Sequence, residues 1–153
     1  MSQGEQVGPV DEAVGYVLKR AATSLRTAMD AALRPLDLTV PQYSCLEVLS
    51  QQPGLSNAEL ARAVFVTRQS MNLVLRGLQD RGLITRPTTA PHGRALPTEL
   101  TPAGRKQLKT ASTAVRTVEA RMLTPFSQTQ QHRLLQDLRL CIQALETPTE
   151  QTG

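Results

Sequence analysis

The chain has 153 residues and a formal net charge of +4, with 40% hydrophobic but only 3% aromatic residues. A chain of this length forms one domain, or one domain with a helical extension, and buries roughly two-thirds of its unfolded surface. Leu, Val and Ala must therefore build most of its core. No apolar run approaches the ~20 residues that span a bilayer, and the N-terminus resembles no secretory signal. We expect a soluble intracellular protein.

The positive charge is concentrated in the middle of the chain. Residues 56–106 carry eight basic and three acidic residues, a local charge of +5, whereas the remainder carries nine basic and ten acidic residues. A local basic excess suits a polyanionic partner such as nucleic acid, although charge alone does not identify one.

Two helices are predicted before this basic segment. Residues 11–34 carry apolar side chains at the spacing of one helical face, and Pro35 ends that helix. Thr39 then caps a second helix, VPQYSCLEVLS, in which a proline near the N-terminus is tolerated. The apolar face of the first helix contains Val14, Val17, Leu18, Ala21, Leu25, Ala28 and Ala32.

A pair of short helices follows. In GLSNAELARAV (54–64), Ser56 and Glu59 match an S-x-x-E capping box, and Leu55 and Leu60 occupy the positions of a hydrophobic staple. The next helix begins only a few residues later, at Thr67. Two short helices joined by a tight turn predict a helix-turn-helix.

The helix that begins at Thr67 has two different faces. Its apolar stripe must pack on the preceding helices, which turns the polar face outward. On that face, amides match the edge of adenine, a guanidinium matches guanine or phosphate, and a leucine matches a thymine methyl. An isolated helix of this kind is more often simply solvated, but its place in a basic helix-turn-helix favours DNA contact. The stripe contains Met71, Val74, Leu75 and Leu78, and the opposite side contains Gln69, Asn72, Leu73, Arg76 and Asp80.

A β-hairpin is predicted after this helix. Gly82 ends the helix, and residues 83–85 favour a strand. Residues 95–101 alternate enough to form the returning strand. Pro97 has no N–H for the ladder, which makes this an edge strand at best.

A hairpin that follows a recognition helix is a wing. Its turn-rich loop, residues 88–94, places Arg94, and with it His92, where they would enter a minor groove or meet the DNA backbone. Without the preceding helices, an exposed loop arginine with no partner would be an equally good interpretation of Arg94.

Two amphipathic helices complete the chain, one after Thr101 and one after Pro125. Together with residues 11–34, they have apolar faces that a second copy of the chain would cover. A symmetric dimer would place two recognition helices about one DNA turn (~34 Å) apart, as a palindromic operator requires. The apolar faces contain Leu108, Ala111, Val115, Val118 and Met122 on the first helix, and Leu134, Leu135, Leu138, Cys141, Ile142 and Leu145 on the second.

Four short motifs occur here in a fixed order. They are LT-x-x-Q from Leu38, L-S-x-x-E-L-A from Leu55, L-x-x-x-G-L-I from Leu78, and L-T-x-x-G from Leu100. In order and spacing they resemble the multiple antibiotic resistance regulator (MarR) family of bacterial transcription factors. The resemblance covers residues 36–108 by motif and the whole chain by helix order.

The resemblance implies an obligate winged-helix homodimer, mainly α with a small β-hairpin wing. Such a protein binds palindromic promoter double-stranded DNA in the bacterial cytosol, associated with the nucleoid, usually as a repressor. A small, often aromatic, effector frequently releases it. We expect no membrane association, cofactor or metal. The DNA-binding positions carried over are Thr67, Arg68, Gln69, Ser70, Asn72 and Arg76 in the recognition helix and Arg94 in the wing.

The resemblance also implies an organisation in segments. Dimerisation helices are expected in residues 1–36 and 102–147. The winged helix-turn-helix lies between them, in residues 37–101. A disordered polar tail, residues 148–153, is expected to follow.

Two positions depart from the family pattern. Most members have an aspartate two residues before the wing arginine, where this chain has His92, so we expect Arg94 to be held differently. Phe65 lies in the turn between the two DNA-binding helices, where glycine is frequent. Because a bulky residue disfavours a positive φ, we expect a different turn there, with the Phe65 side chain filling core space.

Three other functions are weaker interpretations of the sequence. An enzyme is disfavoured because the two histidines, His92 and His132, have no partner at catalytic spacing, and no phosphate loop or nucleophile elbow occurs. A redox-responsive regulator would use Cys45 or Cys141, but both lie among apolar residues, which favours a role in the core. Peroxide sensors of the family have a cysteine near the start of the first helix, and residues 11–34 contain none. An adaptor without DNA binding is disfavoured by the retained polar face.

Overall fold

The computed structural model describes residues 9–86 and 98–148, which form six α-helices and one two-stranded antiparallel sheet. This mainly α architecture with a small β-hairpin is the predicted fold class, which is therefore confirmed. Short 3-10 turns lie at Val10–Glu12 and Arg34–Leu36. The elements are α1 (Val14–Leu33), α2 (Val40–Gln51), α3 (Asn57–Val64), α4 (Arg68–Asp80), β1 (Ile84–Thr85), β2 (Glu99–Leu100), α5 (Pro102–Leu123) and α6 (Gln128–Glu146).

Side-chain caps begin several of these helices. The Thr39 hydroxyl accepts a hydrogen bond from the Gln42 main-chain N–H at 3.2 Å, and the Gln42 side chain accepts one from the Thr39 N–H at 3.0 Å. Ser56 and Glu59 form the predicted capping box at the start of α3. Each box satisfies main-chain donors that a helix N-terminus leaves without partners. Local sequence therefore sets where these helices begin.

The described residues fall into two compact units that divide between Val118 and Glu119. The first unit has one apolar core, built by α2, α3, α4, the sheet, the end of α1 and the first part of α5. Burying one such leucine side chain contributes roughly 1.5–3 kcal/mol. The largest side chains that are fully buried are Leu33, Leu46, Leu60, Met71, Leu75 and Leu78.

The sheet and the start of α5 lie close together. Ile84 pairs with Leu100 across the two strands. The Thr101 main-chain N–H donates to the Leu83 carbonyl at 3.0 Å. A Cβ placed on Gly104 would lie 2.0 Å from the same carbonyl oxygen. The third residue of α5 therefore has to be a glycine, because a side chain there would collide with main chain.

The second unit consists of the end of α5, a short turn and α6. The Gln131 side-chain amide donates to the carbonyls of Leu123 and Phe126, at 3.2 and 3.1 Å, which fixes the turn. No residue of α6 is buried among the described residues, and Cys141 is exposed. The prediction that Cys141 is a core residue is wrong for the single chain, because the apolar stripe that contains it is uncovered. None of the described helices combines the length and apolarity needed to cross a bilayer.

Candidate nucleic-acid interface

The helices α3 and α4 are joined by a tight turn, as the predicted helix-turn-helix requires. Its second helix begins at Thr67, whose hydroxyl accepts a hydrogen bond from the Ser70 main-chain N–H at 3.0 Å. The Thr67 hydroxyl also donates to the Ser70 hydroxyl at 3.0 Å. Both side chains are exposed at the N-terminal end of α4, the end that inserts into the major groove in helix-turn-helix complexes.

The turn before Thr67 differs from the prediction. Phe65 has φ 63° and ψ 42°, in the left-handed region, and the residue is 92% exposed. Its N–H donates to the Arg62 carbonyl at 3.3 Å, and the Val66 N–H donates to the Ala61 carbonyl at 3.0 Å.

This hydrogen-bond pair is a Schellman motif, with Phe65 in the position that glycine usually occupies. The expectation of a different turn with Phe65 in the core is therefore wrong. The last carbonyls of α3 require hydrogen-bond donors, and the bonds that supply them impose the left-handed conformation. For a residue with a Cβ this conformation costs roughly 1–2 kcal/mol.

The two faces of α4 are oriented as predicted. The apolar stripe faces the core: Met71, Leu75 and Leu78 are each 0% exposed. Gln69 and Arg76 lie on the opposite, exposed side. Among the described residues, neither of these two side chains has a hydrogen-bond or ion-pair partner. An amide and a guanidinium are therefore available to a ligand on this surface. The remaining predicted positions of the helix are also exposed: Thr67, Arg68, Ser70 and Asn72, with Leu73 and Asp80 beside them.

Asn72 has a partner that the sequence did not suggest. The Asn57 side-chain amide donates to Oδ1 of Asn72 at 2.7 Å. Bidentate pairing with adenine uses both the oxygen and the amide nitrogen of an asparagine. In this structure the oxygen accepts the Asn57 bond with one of its two lone pairs, which leaves the Asn72 amide N–H groups and the second lone pair for a base. Asn57, half-buried in the first turn of α3, therefore belongs to the candidate site.

The C-terminal end of α4 is braced by Arg81. Its guanidinium donates to the carbonyls of Asp37 and Leu36, at 2.5 and 3.3 Å. The side-chain amide of Gln107 donates to the same Leu36 carbonyl at 2.9 Å. Arg81 therefore connects the end of α4 to the turn before α2. Although it is one of the eight basic residues of the segment 56–106, its guanidinium has a structural role.

The predicted wing tip lies outside the described residues. Arg94 and His92 both fall in residues 87–97, and their roles remain predictions. The strands on either side are described and pair in antiparallel register.

The buried thiol of Cys45 is a poor candidate for a redox sensor. Cys45 is 0% exposed, so the prediction that it lies in the core is confirmed. Burial raises the pKa of its thiol to about 12, and the nearby positive charge of Arg86 only partly opposes that rise. Since the thiolate is the reactive form, Cys45 is unreactive at neutral pH. The structure gives no support to a redox mechanism through this residue.

A cavity of about 260 Å³ lies between α2, the end of the sheet and α5. Its apolar surface comes from Leu100 and Leu108, and its charged groups are three cations and Glu47. The Glu47 carboxylate is held in place: it accepts hydrogen bonds from the Ser112 hydroxyl at 3.0 Å and from the Tyr43 hydroxyl at 3.3 Å. Burial is also the main cause of a raised Tyr43 pKa. The three cations are Arg105, Lys109 and Arg116.

Comparison with known proteins decides the family. The model of the MarR family matches residues 36–95. The HTH-type transcriptional repressor Rv2887 of Mycobacterium tuberculosis strain H37Rv is 47% identical over 136 residues, which are 86% of this chain and 98% of that protein. The chain belongs to the MarR family. The family expected from the sequence motifs is thereby confirmed.

Solved structures of Rv2887 extend the likeness of this MarR-family chain to three dimensions. The structure of Rv2887 in complex with DNA has a TM-score of 0.69 and 42% identity, covering 88% of this chain and 98% of that one. Its complex with salicylic acid has a TM-score of 0.73 and 46% identity, covering 87% and 99%. The MarR-family fold therefore extends beyond residues 36–95 to most of the chain.

Proposed function

We propose that this MarR-family transcriptional regulator is a repressor that binds palindromic promoter DNA as a homodimer, in the bacterial cytosol at the nucleoid. The observation that carries the proposal is the orientation of α4, whose stripe is buried while Gln69 and Arg76 face outward. The complex of Rv2887 with DNA supports it. The role is regulatory rather than catalytic, as is typical of the family.

Each polar side chain of α4 has a specific part in this proposal. Gln69 contacts a base edge in the major groove, as does the Asn72 amide that Asn57 orients. Arg68 and Arg76 contact phosphate or guanine. The hydroxyls of Thr67 and Ser70 lie at the end of the helix that enters the groove, where they suit phosphate contacts. In the wing, Arg94 contacts the minor groove or the backbone.

The homodimer is proposed from uncovered apolar side chains on α1 and α6. Isolated exposed hydrophobic residues are ordinary, but a continuous apolar face on a helix indicates a partner surface. Residues 1–36 and 102–147 would contribute dimerisation helices, and 37–101 the DNA-binding part. The exposed side chains are Val14, Tyr16, Val17 and Leu18 on α1, and Leu135, Leu138, Leu140, Ile142 and Leu145 on α6.

The effector is proposed to be a small aromatic carboxylate that binds in the cavity beside α5. At about 260 Å³, the cavity is close to the lower end of the usual ligand range of roughly 300–1,000 Å³. Arg105 and Arg116 would pair with the carboxylate, and Leu100 and Leu108 would contact the ring. The complex of Rv2887 with salicylic acid supports this class of ligand.

A binding titration with a labelled fragment of the protein's own promoter tests both the operator binding and the effector. Affinity should fall by about a thousandfold or more between 50 and 200 mM salt, because several phosphates are neutralised. Salicylate should lower operator affinity at constant salt. Arg116→Gln should retain operator binding but need about tenfold more salicylate. Arg121→Gln, an exposed position on α5 outside the cavity lining, is the matched control. A fragment bound no better than random DNA would overturn the proposal.

A further inference from the structure

The ends of α3 and α4 have the same main-chain geometry but different residues. After α4, Gly82 has φ 71°, its N–H donates to the Gln79 carbonyl at 2.9 Å, and the Leu83 N–H donates to the Leu78 carbonyl at 3.0 Å. After α3, the equivalent residue is Phe65. Glycine adopts this conformation without strain and phenylalanine does not.

The strained conformation of Phe65 does not place its side chain in the core. The other non-glycine residue with a positive φ in the described part of the chain is Asp37, a short polar residue of the kind that tolerates it. Phe65 has a large apolar ring, and the residue as a whole is 92% exposed. A strained residue whose side chain contributes nothing to the core indicates a role in binding rather than in folding.

The surroundings of Phe65 indicate what it contacts. Arg62 in the last turn of α3 and Arg68 at the start of α4 are both exposed and positively charged. In helix-turn-helix complexes the first helix crosses the DNA backbone, and the N-terminal end of the second contacts base edges. Along the chain Phe65 therefore stands three residues after one exposed arginine and three before another, in the turn that leads into the end of α4 that approaches the bases. The apolar group that DNA offers in the major groove is the C5-methyl of thymine, which phenylalanine contacts well.

Resting on the proposed operator binding, we propose that the Phe65 ring packs against the C5-methyl group of a thymine in each half-site. The contact makes Phe65 a specificity-determining residue, with a preference for thymine at the position that the N-terminal end of α4 approaches.

Three variants separate the ring from the conformation that holds it. Phe65→Gly removes both ring and strain, Phe65→Asn removes the ring but tolerates the left-handed region, and Phe65→Tyr keeps an aromatic ring under the same strain. Thermal stability should rise in Phe65→Gly and stay near wild type in Phe65→Tyr. Operator affinity should follow the opposite order, with Phe65→Tyr close to wild type and both other variants weaker by about tenfold. If Phe65 had only a structural role, the variants would not rank in opposite orders for thermal stability and operator affinity.

Replacing thymine by uracil, one position at a time in both half-sites, tests the methyl group itself. At one position the wild-type protein should lose about fourfold in affinity per half-site, the factor expected for one buried methyl group. Phe65→Gly and Phe65→Asn should show no loss there. The slope of affinity against salt should be the same in all variants, because the ring carries no charge.

The outcomes distinguish this inference from the proposed function. If the wild-type protein does not prefer its operator to random DNA, the proposed function fails. If it does, but Phe65→Gly and Phe65→Asn bind equally well, only the contact of Phe65 is overturned. The same holds if uracil weakens wild type and Phe65→Gly equally, since another residue, such as Leu73, then contacts the methyl group. A Phe65→Gly protein that becomes monomeric in sedimentation would overturn it too, because the ring would then serve a second copy of the chain.

Discussion

Asn57 and Asn72 are joined by a hydrogen bond of 2.7 Å between their side chains, across the two helices of the helix-turn-helix. The bond restrains the rotamer of Asn72 on the exposed face of α4 before any DNA is present. A side chain that is already oriented loses less conformational entropy on binding. In the proposed complex with DNA, Asn57 would therefore be a positioning residue that acts through Asn72.

Asn57→Ala should reduce discrimination at the base that Asn72 contacts by about two- to tenfold, the range for one hydrogen bond. A double-mutant cycle measures whether the effect acts through Asn72. Asn57→Ala should cost little operator affinity in a protein that already carries Asn72→Ala. If the two losses simply add, Asn57 acts independently and its assignment as a positioning residue is wrong.

Gly104→Ala should destabilise the protein by about 3 kcal/mol or more, because its Cβ would lie 2.0 Å from the Leu83 carbonyl oxygen and force main chain apart. Urea denaturation measures the loss. Gly15→Ala is the matched control on α1, since a Cβ there has no atom within 4 Å. That control should be neutral or more stable by up to ~1 kcal/mol. Equal stability of the two variants would contradict the close approach of α5 to Leu83.

The helix caps and the buried face of α4 can be predicted from the sequence. The capping residues Thr39, Ser56 and Thr67 are predicted correctly, because a cap depends on residues three positions apart. The buried stripe of α4 is predictable for the same reason: helical periodicity alone decides which side chains share a face.

The features that the sequence predicts wrongly or not at all depend on hydrogen bonds and packing that sequence patterns do not show. The prediction for Phe65 is wrong because its conformational preference opposes a positive φ, and the Schellman hydrogen bonds that override this preference are not visible in the sequence. The Asn57–Asn72 bond depends on how two helices cross. Cys141 belongs to a real apolar stripe, but periodicity does not say what covers that stripe.

The two thiols should react with a disulfide reagent at different rates at neutral pH. Cys141 is exposed in the single chain and should react first, at a rate that slows where the proposed dimer covers its stripe. Cys45 should react only as the protein unfolds, because it is buried with a pKa of about 12. Peroxide treatment should accordingly leave operator binding intact. Loss of binding that Cys45→Ala restores would instead support the redox alternative.

Cys45 should also make stability depend on alkaline pH. The ordinary pKa of a cysteine thiol is 9.0, and burial raises the pKa of Cys45 in the folded protein to about 12. Well below pH 9 the thiol is therefore protonated in both the folded and the unfolded state. As pH rises from 9 to 12, the unfolded chain loses this proton first, so unfolding becomes more favourable. Urea denaturation at pH 8 and pH 10 should show a smaller decrease for Cys45→Ala than for wild type. An identical decrease would contradict the raised pKa.

The helix and the wing should make different contributions to DNA binding. Gln69→Ala should relax base preference at one position, at a cost of about 1–3 kcal/mol for the preferred base. Arg94→Ala should weaken binding to all sequences and reduce the salt slope by about one. Affinities for the operator and for a scrambled fragment, each at several salt concentrations, separate the two effects. A sequence-dependent loss for Arg94→Ala would show that the wing arginine contacts bases specifically.

The promoter affinity of the Gln69→Ala/Arg76→Ala double variant tests whether the exposed face of α4 binds the operator. Both side chains are exposed, so the variant should fold and associate like wild type while binding the operator about a hundredfold or more less tightly. Arg133→Ala, which removes an exposed charge from α6, should bind within about twofold of wild type. A folded double variant with wild-type operator affinity would show that the operator does not bind to this face of α4.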